Sequence, residues 1–125
     1  MLSMTFTEDS IKKITIDMED EWQYENDGKE INCMFHGLED YAERFFDIKE
    51  DHPDDYVDCY ATIVLDRYGE RYVRAIEFQF ITRLDIQNRY LTINFNNCEE
   101  SRMIAAKLYE TSHGGLEQME NDLEV

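Results

Sequence analysis

Asp17, Glu19 and Glu21 stand at alternate positions, with Glu25 further along the same run. On an extended chain, alternate residues lie about 6.5–7 Å apart, from a rise of ~3.3 Å per residue. Successive phosphates on one DNA strand advance ~3.4 Å along the helix axis, and the wound backbone path makes their separation about twice that. A carboxylate row at i, i+2, i+4 therefore matches the phosphate row that a nucleic-acid-binding protein grips. A second acidic set, Glu39, Asp40, Glu43 and Asp47, falls at helical spacing. Its i, i+4 pairs, Glu39–Glu43 and Glu43–Asp47, disfavour the isolated helix by about a few tenths of a kcal/mol each. Like-charge pairs kept at that cost point to something that compensates or uses them. The bland alternative is a solvated face on an acidic protein.

Asp51, Asp54, Asp55 and Asp58, with Glu50, supply the oxygen ligands that a hard cation takes. The D-x-[DN]-x-[DN]-G loop is absent and no glycine turns the chain there, so an acidic solvent loop is the reading, with Asp54 and Asp55 available to a partner. His36, His52 and His113 are scattered, and Cys33 with His36 gives C-x-x-H, half a zinc site. No metal or cofactor is expected. There is no H-E-x-x-H, G-x-S-x-G, phosphate-binding glycine loop or dinucleotide fingerprint. Triads assemble in space, but without a motif no enzyme is expected. Arg67, Arg71, Arg74, Arg83 and Arg89 fall on the middle strands and turns, where cross-strand pairing with acids is the simple reading.

The elements that must position these groups follow from periodicity. Residues 12–25 alternate, with Ile14, Ile16, Met18, Trp22 and Tyr24 on one face, which predicts a half-buried strand with Trp22 at least half buried. Asp20 breaks that face and predicts a bulge. Asn26-Asp27-Gly28 is a type I′ hairpin signal, with a return strand over Glu30–Phe35. Leu38, Tyr41, Ala42, Phe45, Phe46 and Ile48 predict an amphipathic helix with acids in its first turn. Residues 49–58 read as a loop around Pro53. The nearly continuous apolar run from Val57 to Leu65 predicts a central strand. A short hairpin loop at 66–70 follows, then a strand over 71–82 with Tyr72, Arg74, Ile76, Phe78 and Phe80 on one face. A third strand over 89–95 turns Leu91, Ile93 and Phe95 inward. Asn97 with Glu100 fits a capping box, opening a helix whose buried stripe is Ile104, Ala105, Leu108 and Tyr109, and Gly114-Gly115 ends it. The order β-β-α-β-β-β-α predicts an α+β domain over residues 1–115. Its two helices should pack on one face of an antiparallel sheet of about five strands, leaving the other face partly open to water or a partner. Residues 116–125 read as an acidic tail, frayed or disordered.

Composition bounds the function. Across 125 residues the net charge is −17, with hydrophobic residues at 42% and aromatics at 13%, which is too apolar for a disordered acidic chain. Residues 1–58 carry net −13, residues 59–97 net +1 and residues 98–125 net −5, so acid gathers at the ends around a near-neutral middle. Such a surface repels nucleic acid and anionic membrane and attracts a basic protein. No stretch approaches the ~20 apolar residues of a membrane span, and MLSMTF lacks the features of a signal peptide. Cys33, Cys59 and Cys98 are odd in number and form no C-x-x-C, as expected of reduced thiols in a cytoplasmic protein.

In size, acidity and aromatic content, and in no signature residue, the chain resembles two groups of small inhibitors. One is the phage and mobile-element proteins that block restriction or CRISPR systems (anti-CRISPR and anti-restriction proteins), many of them DNA mimics. The other is the immunity proteins of basic nuclease toxins. The resemblance implies an inhibitor whose carboxylates occupy a cationic nucleic-acid site on a partner protein, with aromatics such as Trp22, Tyr24, Tyr41 and Tyr56 as anchors. The alternative is a non-enzymatic structural or regulatory domain, dimeric through a sheet edge or the open face, whose acidity serves solubility.

Overall fold

The computed structural model describes residues 6–16, 24–27, 30–46, 56–66, 68–81 and 89–121, with the backbone alone for 24–27, 43–46 and 89. The elements are α1 (Glu8–Lys12), β1 (Tyr24–Asp27), β2 (Glu30–Phe35), α2 (Glu39–Phe46), β3 (Tyr56–Leu65), β4 (Arg71–Ile81), β5 (Arg89–Asn94), α3 (Glu99–Thr111) and α4 (Gly115–Asn121). The strands form one antiparallel sheet in the order β1-β2-β3-β4-β5. Helices α2 and α3 cover one face, and α1 and α4 lean on α3. This is the α+β architecture that the periodicity predicts, with four helices among the described residues where two were expected.

The core explains the layering. In β3 the odd positions Val57, Cys59, Ala61 and Ile63 are buried, and they meet Ile31, Cys33 and Phe35 of β2 and Val73, Ile76, Phe78 and Phe80 of β4. Leu38 and Ala42 of α2 and Ile104, Ala105, Leu108 and Tyr109 of α3 close the other side. At about 1.5–3 kcal/mol for each large side chain taken from water, this single cluster dominates the stability.

Strand β4 departs from plain alternation. The register slips between Thr62 and Ile63, where Thr62 faces Ala75 but Ile63 faces Val73. A bulge there accommodates Arg74, and it lets Val73 and Ile76, three residues apart, both point inward. Tyr72 and Arg74 therefore do not share the face of Ile76, Phe78 and Phe80 that strict alternation predicts for them. Arg74 instead reaches across β3 to Glu30, with Nη2 3.0 Å from Oε2.

The N-terminal strand also differs from expectation. Residues 8–12 are helical because Thr7 caps them, its hydroxyl accepting from Ser10 N, while Glu8 and Asp9 suit the helix dipole. Thr15 bridges His36, and Tyr24 pairs with Cys33. Lys12 belongs to α1 and Thr15 makes an isolated bridge, so the strand expected over 12–25 does not begin at 12, and its middle, 17–23, lies outside the described residues. Trp22 and the bulge expected at Asp20 lie outside the described residues. The hairpin ladder closes at Asp27↔Glu30, one residue later than the Asp27-Gly28 turn predicts. The bridge to Thr15 requires glycine at position 37: φ is +122°, and a Cβ there would run into the Lys13 carbonyl.

The cap of α3 sits one residue beyond the predicted Asn97–Glu100 box. Cys98 is the N-cap, and Ser101 Oγ accepts from Cys98 N at 3.0 Å. Glu100 is thereby left to act elsewhere. At 7% exposure it accepts from Phe6 N at 2.8 Å and ties the N-terminal arm to α3. The chain turns at Ser112, His113 and Gly114, then re-enters helix α4. Its Leu116 is fully buried, so residues 115–121 are built into the domain rather than frayed. Leu116→Ala should therefore cost about 2–4 kcal/mol, read as a lower urea midpoint; an unchanged midpoint would mean that α4 contributes nothing.

Candidate functional site

Most of the carboxylates singled out by spacing cannot be assembled into a described surface. Asp17, Glu19, Glu21, Asp47, Asp54 and Asp55 lie outside the described residues. Glu25 pairs with Asn32 across the first hairpin, and Glu43 lies within α2. Glu39 and Asp40 open α2, as predicted. Glu39 has local work, since Oε1 accepts from Gly37 N and Oε2 lies 2.9 Å from His36 Nδ1. Asp40 is exposed. Tyr41, expected on the apolar stripe of α2 and as a partner anchor, packs edge-on against Phe6 at 4.8 Å between ring centroids and beside Phe78 at 6.0 Å.

The pleat builds a different surface. Because odd residues of β3 feed the core, even ones point away from the helices: Tyr56, Asp58, Tyr60, Thr62 and Val64. Cross-strand pairing extends these rows. Met34, Tyr60, Glu77 and Thr92 form one, Asn32, Thr62, Ala75 and Asn94 the next, and Asp58, Gln79 and Tyr90 a third. No described helix covers this face. Tyr56 and Tyr90 are 52% and 59% exposed on it, while Tyr60, Thr62, Glu77 and Gln79 are half-buried among their neighbours. Thr62 Oγ1 donates to Asn32 Oδ1 at 2.7 Å, and Gln79 Nε2 donates to Glu77 Oε2 at 2.6 Å.

The Asp58 charge is held at a cost. Tyr60 Oη donates to Asp58 Oδ2 at 3.3 Å. Burial pushes the Asp58 carboxyl above its usual value, and nearby Glu39 adds to this, while the Tyr60 hydroxyl and His36 only partly offset it. Burial and the neighbouring carboxylates Asp58 and Glu77 push the Tyr60 phenol up to about 12, so it stays a neutral donor. Among the described residues no lysine or arginine forms an ion pair with Asp58 or Glu77. Three other acids are compensated. Glu30 has Arg74, and Glu120 has Arg71. Asp66 accepts from the main-chain N–H groups of Glu70 and Tyr68, which hold its carboxyl below the ordinary range.

The remaining candidate chemistry is dispersed. Cys33 is buried in the core while His36, three residues on, is exposed, so the C-x-x-H pair does not converge. Burial pushes the Cys33 thiol up to about 12, and burial with the charges of Glu39 and Asp58 pushes Cys59 up as well. Both are protonated thiols packed as small hydrophobes, not nucleophiles. Among the described residues no group of three or more His, Cys, Asp or Glu side chains is placed to hold a metal, and no helix is long and apolar enough to cross a membrane. Comparison with protein families, with curated proteins and with solved structures finds no match.

Asp58 was legible as an acid but assigned to a loop. The signal for the whole face was the alternation of polar or aromatic with small apolar residues over 56–63, hidden when tyrosine is counted as apolar. Because the folded state favours the protonated form of Asp58, its contribution to stability is present at low pH and lost as pH rises through the raised folded value. Asp58→Asn should therefore raise the melting temperature at pH 7, with the gain vanishing near pH 3. A lower melting temperature for the variant at pH 7 would contradict this.

Proposed function

We propose that this protein is an acidic protein-binding inhibitor that occupies a basic, nucleic-acid-binding surface of a partner protein. The classes that fit are anti-defence proteins that block restriction or CRISPR effectors, and immunity proteins that cover a nuclease toxin. One observation carries the reading. The sheet face away from the helices sets tyrosines beside Asp58 and Glu77, with no described arginine or lysine paired to either. An ionised carboxylate kept half-buried without a lysine or arginine partner loses stability that an aspartate-free sequence would keep, and such costs gather where function requires them. Tyrosines supply rigid contact area that anchors a protein interface.

A sheet face carrying exposed tyrosines also suits base stacking, but Asp58, Glu77 and the net charge of −17 would repel phosphates. A basic protein is attracted instead, and its association is steered over a Debye length of ~10 Å at 0.1 M salt. The protonated, buried Cys33 and Cys59 support a non-enzymatic role.

The test is capture from host lysate at 50 and 500 mM KCl, followed by competition with duplex DNA for the captured protein. The expected result is a basic protein released by high salt and displaced by DNA. Captured protein that survives 500 mM KCl and ignores DNA would contradict the proposal.

A further inference from the structure

The protein contains an internal example of how a tyrosine–carboxylate pair takes a cation. Tyr109 Oη donates to Glu120 Oε2 at 2.7 Å. The Arg71 guanidinium lies over the Tyr109 ring, 3.9 Å from its centroid, and grips Glu120 through two bonds, Nε to Oε2 at 2.7 Å and Nη2 to Oε1 at 3.0 Å. Each component adds to the others: the carboxylate takes the planar fork, the ring face takes the delocalised charge, and the phenol fixes the carboxylate.

Tyr60 and Asp58 repeat that construction on the sheet face away from the described helices. The Tyr60 hydroxyl again donates to a carboxylate, Asp58 Oδ2 at 3.3 Å. A second carboxylate, Glu77, stands opposite Tyr60 on the neighbouring strand, and Met34 stands opposite it on the other side. Gln79, opposite Asp58, donates to Glu77 and fixes that carboxylate too. The resulting block spans two residues along the strand, about 7 Å, and one strand spacing across, about 5 Å, which is the scale of a guanidinium held between two carboxylates. No described arginine of this chain joins it.

We propose that the Tyr60–Asp58–Glu77 block receives an arginine side chain of the basic partner, as Tyr109–Glu120 receives Arg71. This rests on the partner-binding reading above and deepens it. Arginine fits where lysine does not: a guanidinium can stack on the ring and hydrogen-bond both carboxylates at once, whereas an ammonium is a compact, strongly hydrated point charge. Surfaces that grip nucleic acid are rich in this side chain, because arginine binds phosphate by the same fork.

The experiment compares a nine-residue arginine peptide with a nine-residue lysine peptide, by fluorescence anisotropy at 50 and 300 mM KCl. For the wild type we expect the arginine peptide to bind about tenfold more tightly, reflecting stacking and bidentate contact. Tyr60→Leu should bring the ratio close to one, and Glu77→Gln should weaken the arginine peptide several-fold. Asp9→Asn, which removes the same charge from exposed α1, should preserve the ratio. If Tyr60→Leu does not fold, Asp58→Asn with Glu77→Gln carries the test, and arginine preference must then be lost. Two peptides that bind equally, or a preference that survives these substitutions, overturns the arginine site while leaving salt-dependent acidic binding in place. No binding of either peptide at 50 mM KCl overturns both.

Discussion

The architecture depends on burying one face of the sheet against the described helices. Sheet residues alternate between faces, so once Val57, Cys59, Ala61 and Ile63 are committed to the helices, Asp58, Tyr60 and Thr62 are committed away from them. Strand β4 would fall out of step, since Val73 and Ile76 are both core residues at odd spacing. The bulge at Arg74 restores the phase, and downstream of it Glu77 and Gln79 face the same way as Asp58 and Tyr60. The position of the proposed site is thus a consequence of core packing. A sheet slipped by one residue would bury its carboxylates and expose its isoleucines.

The acids divide into two kinds. Some hold the fold: Glu100 anchors Phe6, Glu120 joins α4 to β4 through Arg71, and Glu30 is tied to Arg74. Hydrogen bonds from Arg71 and Tyr109 overcome the burial of Glu120 and hold it below the ordinary carboxylate range. Asp58 is shifted the opposite way, chiefly by burial. Arg71 and Arg74 are thus committed to structural carboxylates, and Asp58 is left without such a partner among the described residues. That division separates solubility from binding better than net charge does, because net charge counts both kinds alike.

The core was the more legible part. Alternation located β4 and β5, helical spacing α2 and α3, a continuous apolar run β3, and the hairpin turn signal β2. What escaped was set by tertiary contact. α1 is five residues long and its stripe is one isoleucine, so only the Thr7 cap with Glu8 and Asp9 marked it. α4 starts on the second of two glycines and carries acids but no base, and it is held by Leu116 and by Arg71, 49 positions upstream of Glu120. The cap of α3 moved by one residue because Ser101 competes with Glu100, and Phe6 claims the latter. The proposed site was legible in kind, as acids beside aromatics, but not in place. Spacing drew attention to Asp17, Glu19 and Glu21, whereas Asp58 was read as loop and Tyr60 as core.

The central claim is that the sheet face away from the helices is the working surface. It is tested most directly by amide chemical-shift mapping of the labelled protein during titration with the nine-residue arginine peptide at 50 mM KCl. The account predicts shifts concentrated at Asp58, Tyr60, Thr62, Glu77 and Gln79, with α1, α3 and α4 unmoved. Shifts gathered on the helical layer, or spread evenly over every acidic residue, would contradict it.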